Sequence, residues 1–185
     1  MYFNTRAYIS QVGKSGILSR LCIKRSQWLI NFHMALPVII CIGSTQVMGD
    51  SLGPMVGDLL RERYRVRAYV YGGVRAPVNG INYHEYCSHL KKRHPESLII
   101  AVDACVGEET DVGKIKYLPR GLKAGEALKK NLPRVGDVGI LGVVAPRGKD
   151  NLFALLNCPY SLVLNMSEQI AYNIFRFLAT PFKKE

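Results

Sequence analysis

Three short runs of β-branched and aliphatic residues limit what this chain can become. They are residues 37–43 (Pro-Val-Ile-Ile-Cys-Ile-Gly), 97–104 (Ser-Leu-Ile-Ile-Ala-Val-Asp-Ala) and 138–144 (Val-Gly-Ile-Leu-Gly-Val-Val). Each is apolar on both sides of a strand period and too short for a buried helix, so each reads as a strand covered on both faces. Helical patterns separate them. Leu52, Met55, Val56, Leu59 and Leu60 recur at a helical period. A second helix spans 79–94 with an apolar side of Ile81, Tyr86 and Leu90, and the last helices cover 150–158 and 167–179. Ser167 stands where a cap would, with Ile170, Ile174 and Leu178 on one face. Residues 65–71 and 113–118 alternate and read as further strands, the latter at an edge. Residues 119–136 read as a loop with a short turn of helix. Strands alternating with helices predict an α/β three-layer sandwich with a largely parallel sheet.

Residues 1–33 stand apart. They carry Arg6, Lys14, Arg20, Lys24 and Arg25 and no acid, and the first acidic residue of the chain is Asp50. Such composition resembles targeting segments, which are kept out of fold reasoning. We read 1–33 as a basic extension or as the product of a start assigned upstream of Met34, and 34–185 as the folded α/β domain. The net charge of +11 does not come as a basic stripe interleaved with aromatics. A solvated basic surface, with no nucleic-acid partner, is therefore expected. No apolar run reaches the roughly 18 residues of a membrane span. Five cysteines without a CxxC pair fit a reduced cytoplasmic protein, with Cys41 and Cys105 as small buried hydrophobes.

Two aspartates lie where chemistry would be sought. Asp50 follows the first apolar run by a short loop, and Asp103 ends the second. Open α/β sheets bind ligands at the carboxyl ends of their strands. For Asp50 the plain alternative is an N-cap, a job Ser51 could also do. An acid ending a buried strand is disfavoured unless it is paired, hydrogen-bonded or functional. Two carboxylates in one cleft could share a proton, act as an acid/base pair or hold a metal. Glu108, Glu109 and Asp111 read as a solvated acidic loop. His84, His89 and His94 are five residues apart, about 140° between neighbours on a helix, so they are not expected to share a face. No HExxH, GxGxxG, P-loop lysine or GxSxG elbow is present, and Ser88-His89-Leu90-Lys91 lacks the partners that would make an SxxK motif meaningful.

The ordered segments Cys41-Ile42-Gly43-Ser44, Gly49-Asp50-Ser51-Leu52-Gly53-Pro54 and Ile99-Ile100-Ala101-Val102-Asp103-Ala104-Cys105 strongly resemble the YyaC-type sporulation proteins of spore-forming Firmicutes. Tyr71-Gly72-Gly73-Val74, Pro77-Val78-Asn79, Lys123-Ala124-Gly125 and the stretch 132–137 fit the same pattern, and the likeness spans roughly 37–175. That family looks like a relative of the spore germination protease and of the hydrogenase maturation endopeptidases. The resemblance implies a phosphorylase/hydrolase-like fold. It implies that Asp50 and Asp103 match the two acids those relatives use. In the hydrogenase proteases the corresponding acids bind nickel together with a histidine, for which no counterpart is recognisable here. The expectation is a metal-free and cofactor-free paired-aspartate endopeptidase of the sporulating cell's cytoplasm. Asp50 and Asp103 would be catalytic, and Gly43, Ser44 and Gly53 would shape the loop and bind substrate. The substrate would be a protein or peptide such as a small acid-soluble spore protein, with no membrane partner. The rival expectation is a non-catalytic sporulation protein that binds a peptide or metal in the same cleft.

Overall fold

The computed structural model describes residues 35–124 and 133–179. The reading of 1–33 as a basic extension lies outside the described residues. A five-stranded sheet forms the centre, in the order β2-β1-β3-β7-β4. β1 is Val38–Cys41, β2 Tyr69–Tyr71, β3 Ile99–Gly107, β4 Ile115–Leu118 and β7 Val138–Pro146. β2, β1, β3 and β7 run parallel, and β4 closes one edge antiparallel to β7. The three apolar runs are thus the three inner strands, which is why they lack a polar face.

Register assigns the two faces. Val38, Ile40, Ile42 and Ala101 point to one side, where α2 (Tyr83–Arg93) and a small ribbon of β5 (Leu122–Lys123) and β6 (Arg134–Val135) cover them through Tyr83, Cys87, Leu90, Leu122 and Val135. On the other side lie α1 (Leu52–Asp58) and α4 (Tyr160–Ala179), which pack on each other. The buried Ser167 hydroxyl donates to the Val163 carbonyl at 2.7 Å and lies 3.4 Å from that of Leu52. α3 (Asn151–Leu156) follows β7 and is capped by Asp150, whose carboxylate accepts the Phe153 N–H. Helices on both faces of a mostly parallel sheet make the expected three-layer α/β sandwich.

Four local expectations shift. The last helix begins at Tyr160, so Ser167 is an interior residue bonded back to Val163, not a cap. The sequence face of α2 is turned. Ile81 is 95% exposed, while Tyr83, Cys87 and Leu90 are buried at i, i+4, i+7. The cause is a turn before the helix: the Asn82 amide oxygen accepts the Asn79 N–H and the Asn79 side chain accepts the Ile81 N–H, leaving Ile81 outside the first helical turn. In place of a loop over 119–136 with a short turn of helix, β5 and β6 pair, and residues 125–132 lie outside the described residues. The strand expected over 65–71 shortens to Tyr69–Tyr71. Just before it, α1 runs into a π-turn at Leu59–Arg63.

Candidate functional site

The chain passes from β1 to β2 on one side and then places β3 on the other side of β1. The strand order therefore reverses between β1 and β3. In open α/β sheets the crevice outside the carboxyl ends of such a pair of strands is where ligands bind. Both aspartates lie there. β1 pairs with β3 as far as Cys41 and Val102, and the Ile42 N–H closes the ladder on the Val102 carbonyl at 2.8 Å. Asp103 is the next residue. It is not a strand end, as the sequence suggested, because β3 continues to Gly107 against β7 with an irregularity between Cys105 and Val106. On the β1 side, however, it is the first residue past the ladder. Its register puts it on the α2 face with Ala101. Only 3% of Asp103 is exposed, and its Oδ1 accepts the Ala104 N–H at 2.9 Å.

Asp50 sits in a single 3-10 turn, Gly49–Ser51, that leads into α1 and packs against β3. It does not occupy the cap position of α1. Ser51 does, and its hydroxyl donates to the Met48 carbonyl at 2.6 Å instead of accepting from the helix. Neither residue fills the N-cap role that the sequence allowed.

The loop geometry comes from two glycines. Gly43 has φ +147, and a Cβ there would run into the Asp50 carbonyl; a Cβ on Gly53 would run into that of Ile42. Both contacts draw the start of α1 down onto the end of β1. The Gly43 N–H donates to Val78 at 2.8 Å and the Ser44 N–H to the Asp50 carbonyl at 3.1 Å. These two donors hold the loop together. The Ser44 hydroxyl accepts the Gln46 N–H at 3.3 Å.

Tyr83 is the site residue that sequence reasoning missed. It is fully buried on the Asp103 face, and its hydroxyl donates to the Pro133 carbonyl at 2.7 Å. Burial pushes its phenol well above the ordinary range, and the Cys87 thiol and then the charge of Asp103 add to this. The usable signal was the spacing Tyr83, Cys87, Leu90, hidden by the more apolar Ile81. Ile81 follows the Val78 bridge to Ile42, and Phe153 (64% exposed) projects from α3, whose Leu155 packs near Gly49.

The remaining sequence candidates separate from this site. Glu108 and Glu109 are exposed, as expected, and lead a 3-10 turn, Glu109–Asp111, in which Asp111 is half-buried and bonded to Lys116 at 2.6 Å and Lys114 at 2.9 Å. Cys41 is buried and its thiol is pushed up to about 12 by burial. Cys105 is only half-buried, contrary to expectation, and lies just before the strand irregularity. Among the described residues no three His, Cys, Asp or Glu side chains form a group that could hold a metal. The two acids alone do not fit the acid-acid-histidine nickel set of the hydrogenase proteases. Among the described residues no helix is long and apolar enough to cross a membrane.

A family described as "Protein of unknown function (DUF1256)" matches residues 17–173, so the match starts upstream of the motifs that begin at residue 37. A relative in Bacillus subtilis (strain 168), "Uncharacterized protein YyaC", is 36% identical over 148 residues, covering 80% of this chain and 72% of the relative. Among solved structures, the [NiFe] hydrogenase maturation protease HycI from Thermococcus kodakarensis KOD1 superposes with a TM-score of 0.54. That match has 21% identity and covers 79% of this chain and 94% of the other. The last likeness is one of fold.

Proposed function

We propose that this chain, which belongs to the DUF1256 family, is a peptidase in which Asp50 and Asp103 share one proton and activate water. The observation that carries the reading is topological. Two acids from separate segments lie at the strand-order reversal between β1 and β3, on a fold shared with a maturation protease. Brought together in that crevice, the two carboxylates resist double ionisation, and one retains a proton. The ionised member takes a proton from water as the water oxygen bonds to the peptide carbonyl carbon. The protonated member gives its proton to the carbonyl oxygen. Collapse breaks the C–N bond and returns a proton to the leaving amine. We propose small acid-soluble spore proteins as substrates, in the cytoplasm of the sporulating cell.

One observation favours the non-catalytic rival, a peptide-binding sporulation protein. The Gly43 and Ser44 N–H groups, natural donors for a developing oxyanion, are already bonded to the Val78 and Asp50 carbonyls. The test that separates the readings is cleavage of small acid-soluble spore proteins across pH, with and without chelator, by the wild type, Asp50→Asn and Asp103→Asn. A peptidase of this kind cleaves in chelator. Each Asn variant should fold and lose about 10²–10⁴-fold in rate, the usual worth of a general acid or base. Folded variants that cleave as fast as wild type, or a wild type that never cleaves, would refute it.

A further inference from the structure

The outer edge of the sheet carries a second cluster of chemistry-bearing side chains, built by elements that carry neither aspartate. Tyr71 ends β2. His89 lies in α2, and His94 is the C-cap residue just past its end. A continuous helix would set the two imidazoles well apart around its axis, as the sequence predicts. The chain leaves the helical conformation at His94 (φ −131, ψ 53), and this turns its ring back. The ring centroids of His89 and His94 are 6.4 Å apart, and both rings present Nε2 to one phenol oxygen. Tyr71 Oη lies 2.7 Å from His94 Nε2 and 3.5 Å from His89 Nε2.

We infer that Tyr71 Oη, His89 Nε2 and His94 Nε2 bind a divalent transition ion of the zinc–copper type, a site distinct from the aspartate pair. Three donors at about 2.0–2.1 Å from a tetrahedral ion stand about 3.3–3.4 Å from one another. The observed 2.7 and 3.5 Å lie either side of that spacing for the two pairs that share the phenol oxygen; the two imidazoles stand further apart, with centroids 6.4 Å from each other, and the exposed His89 side chain must turn inward to close the third side. Imidazole ligands select zinc, copper and nickel over magnesium and calcium. His94 is buried and its Nε2 faces the shared point. Tyr69 packs against its other side, with ring centroids 4.5 Å apart. His89 is exposed, so the fourth position opens to water. On binding, the phenol proton passes to solvent and the phenolate oxygen takes up the metal. Arg93 beside His94 opposes the added positive charge, and the site is accordingly weaker than one ringed by carboxylates. The ion would tie the edge strand β2 to the end of α2.

The test uses the full, untagged chain, stripped with chelator, in the Asp50→Asn/Asp103→Asn background so that those carboxylates contribute nothing. Zinc and copper(II) are titrated calorimetrically and followed by thermal unfolding. One equivalent of ion should bind and raise Tm. The copper form should show a phenolate-to-copper charge-transfer band in the visible. His89→Ala, on the surface and safe for folding, should weaken binding at least tenfold and remove the Tm increase. Tyr71→Phe should abolish the band. Absence of binding, or binding that His89→Ala leaves unchanged, overturns the site.

Discussion

Gly53→Ala sets two forces against each other with opposite sign. Gly53 is the second residue of α1. Helix propensity alone favours alanine there by at most about 1 kcal/mol. The structure argues the reverse, because the new methyl would meet the Ile42 carbonyl. That carbonyl cannot recede freely. The Ile42 N–H is bonded to Val102 at 2.8 Å, and Gly43, the next residue, is bonded to Val78. Overpacking costs about 1–3 kcal/mol, and a backbone obstacle on a central strand belongs near the top of that range. Subtracting the propensity gain leaves a net loss of about 2 kcal/mol, or about 4–8 °C in Tm for a chain of this size. Urea unfolding followed by circular dichroism measures it. Gly148→Ala is the control, since a Cβ there meets nothing within 4 Å, and it should change stability by less than about 0.5 kcal/mol. If Gly53→Ala proved as stable as wild type, the close approach of α1 to β1 would not be what fixes the Asp50 turn.

Two further outcomes follow from the same geometry. Tyr83→Phe removes the hydroxyl bond to Pro133 and should cost about 0.5–1.5 kcal/mol in urea unfolding; a neutral result would mean that the hydroxyl is not needed to anchor β6. Asp111, held down to about 2 by hydrogen bonds from Lys116 and then Lys114, contributes stability that is in place above the ordinary carboxylate range and is lost as pH falls through about 2; a carboxyl NMR titration should show its pKa rising in Lys116→Gln.

The strands were legible because burial on both faces leaves continuous runs of Val and Ile, and no helix competes for so short a segment. The positions of the two acids were legible for the same reason, since each stands out against an apolar strand or its exit loop. What misled was local. Ile81 looks like a core residue, but the Asn79–Asn82 turn delays the helix and leaves Tyr83 to fill the core. Ser167 looks like a cap because nothing local reveals that residues 160–166 extend the helix; its hydroxyl is satisfied by the Val163 carbonyl inside that longer helix. The histidines looked dispersed because helical spacing was carried one residue too far. His94 has already left the helix, and Tyr71, from a strand 18 residues before His89, supplies the point on which the rings converge. Tertiary packing decides each of these, through contacts that a periodic pattern does not encode.

The two acids are positioned by different means, and this bears on what the site can do. Asp103 is fixed by the sheet: β7 pairs with it on one side, the β1 ladder stops one residue short on the other, and the Ala104 N–H orients its carboxylate. Asp50 rides on a three-residue turn whose placement depends on Gly43 and Gly53 touching backbone carbonyls and on the Ser44 N–H reaching back to the Asp50 carbonyl. A change at either glycine should therefore move Asp50 while leaving Asp103 in place. For proton sharing, the distance between carboxylates matters more than the burial of either one. Substitutions at Gly43 or Gly53 should consequently alter the pH profile of any activity, not its amplitude alone. A protein that used the crevice only to bind peptide would lose affinity and keep the pH dependence. The two glycines are thus the positions at which the catalytic and the binding readings part.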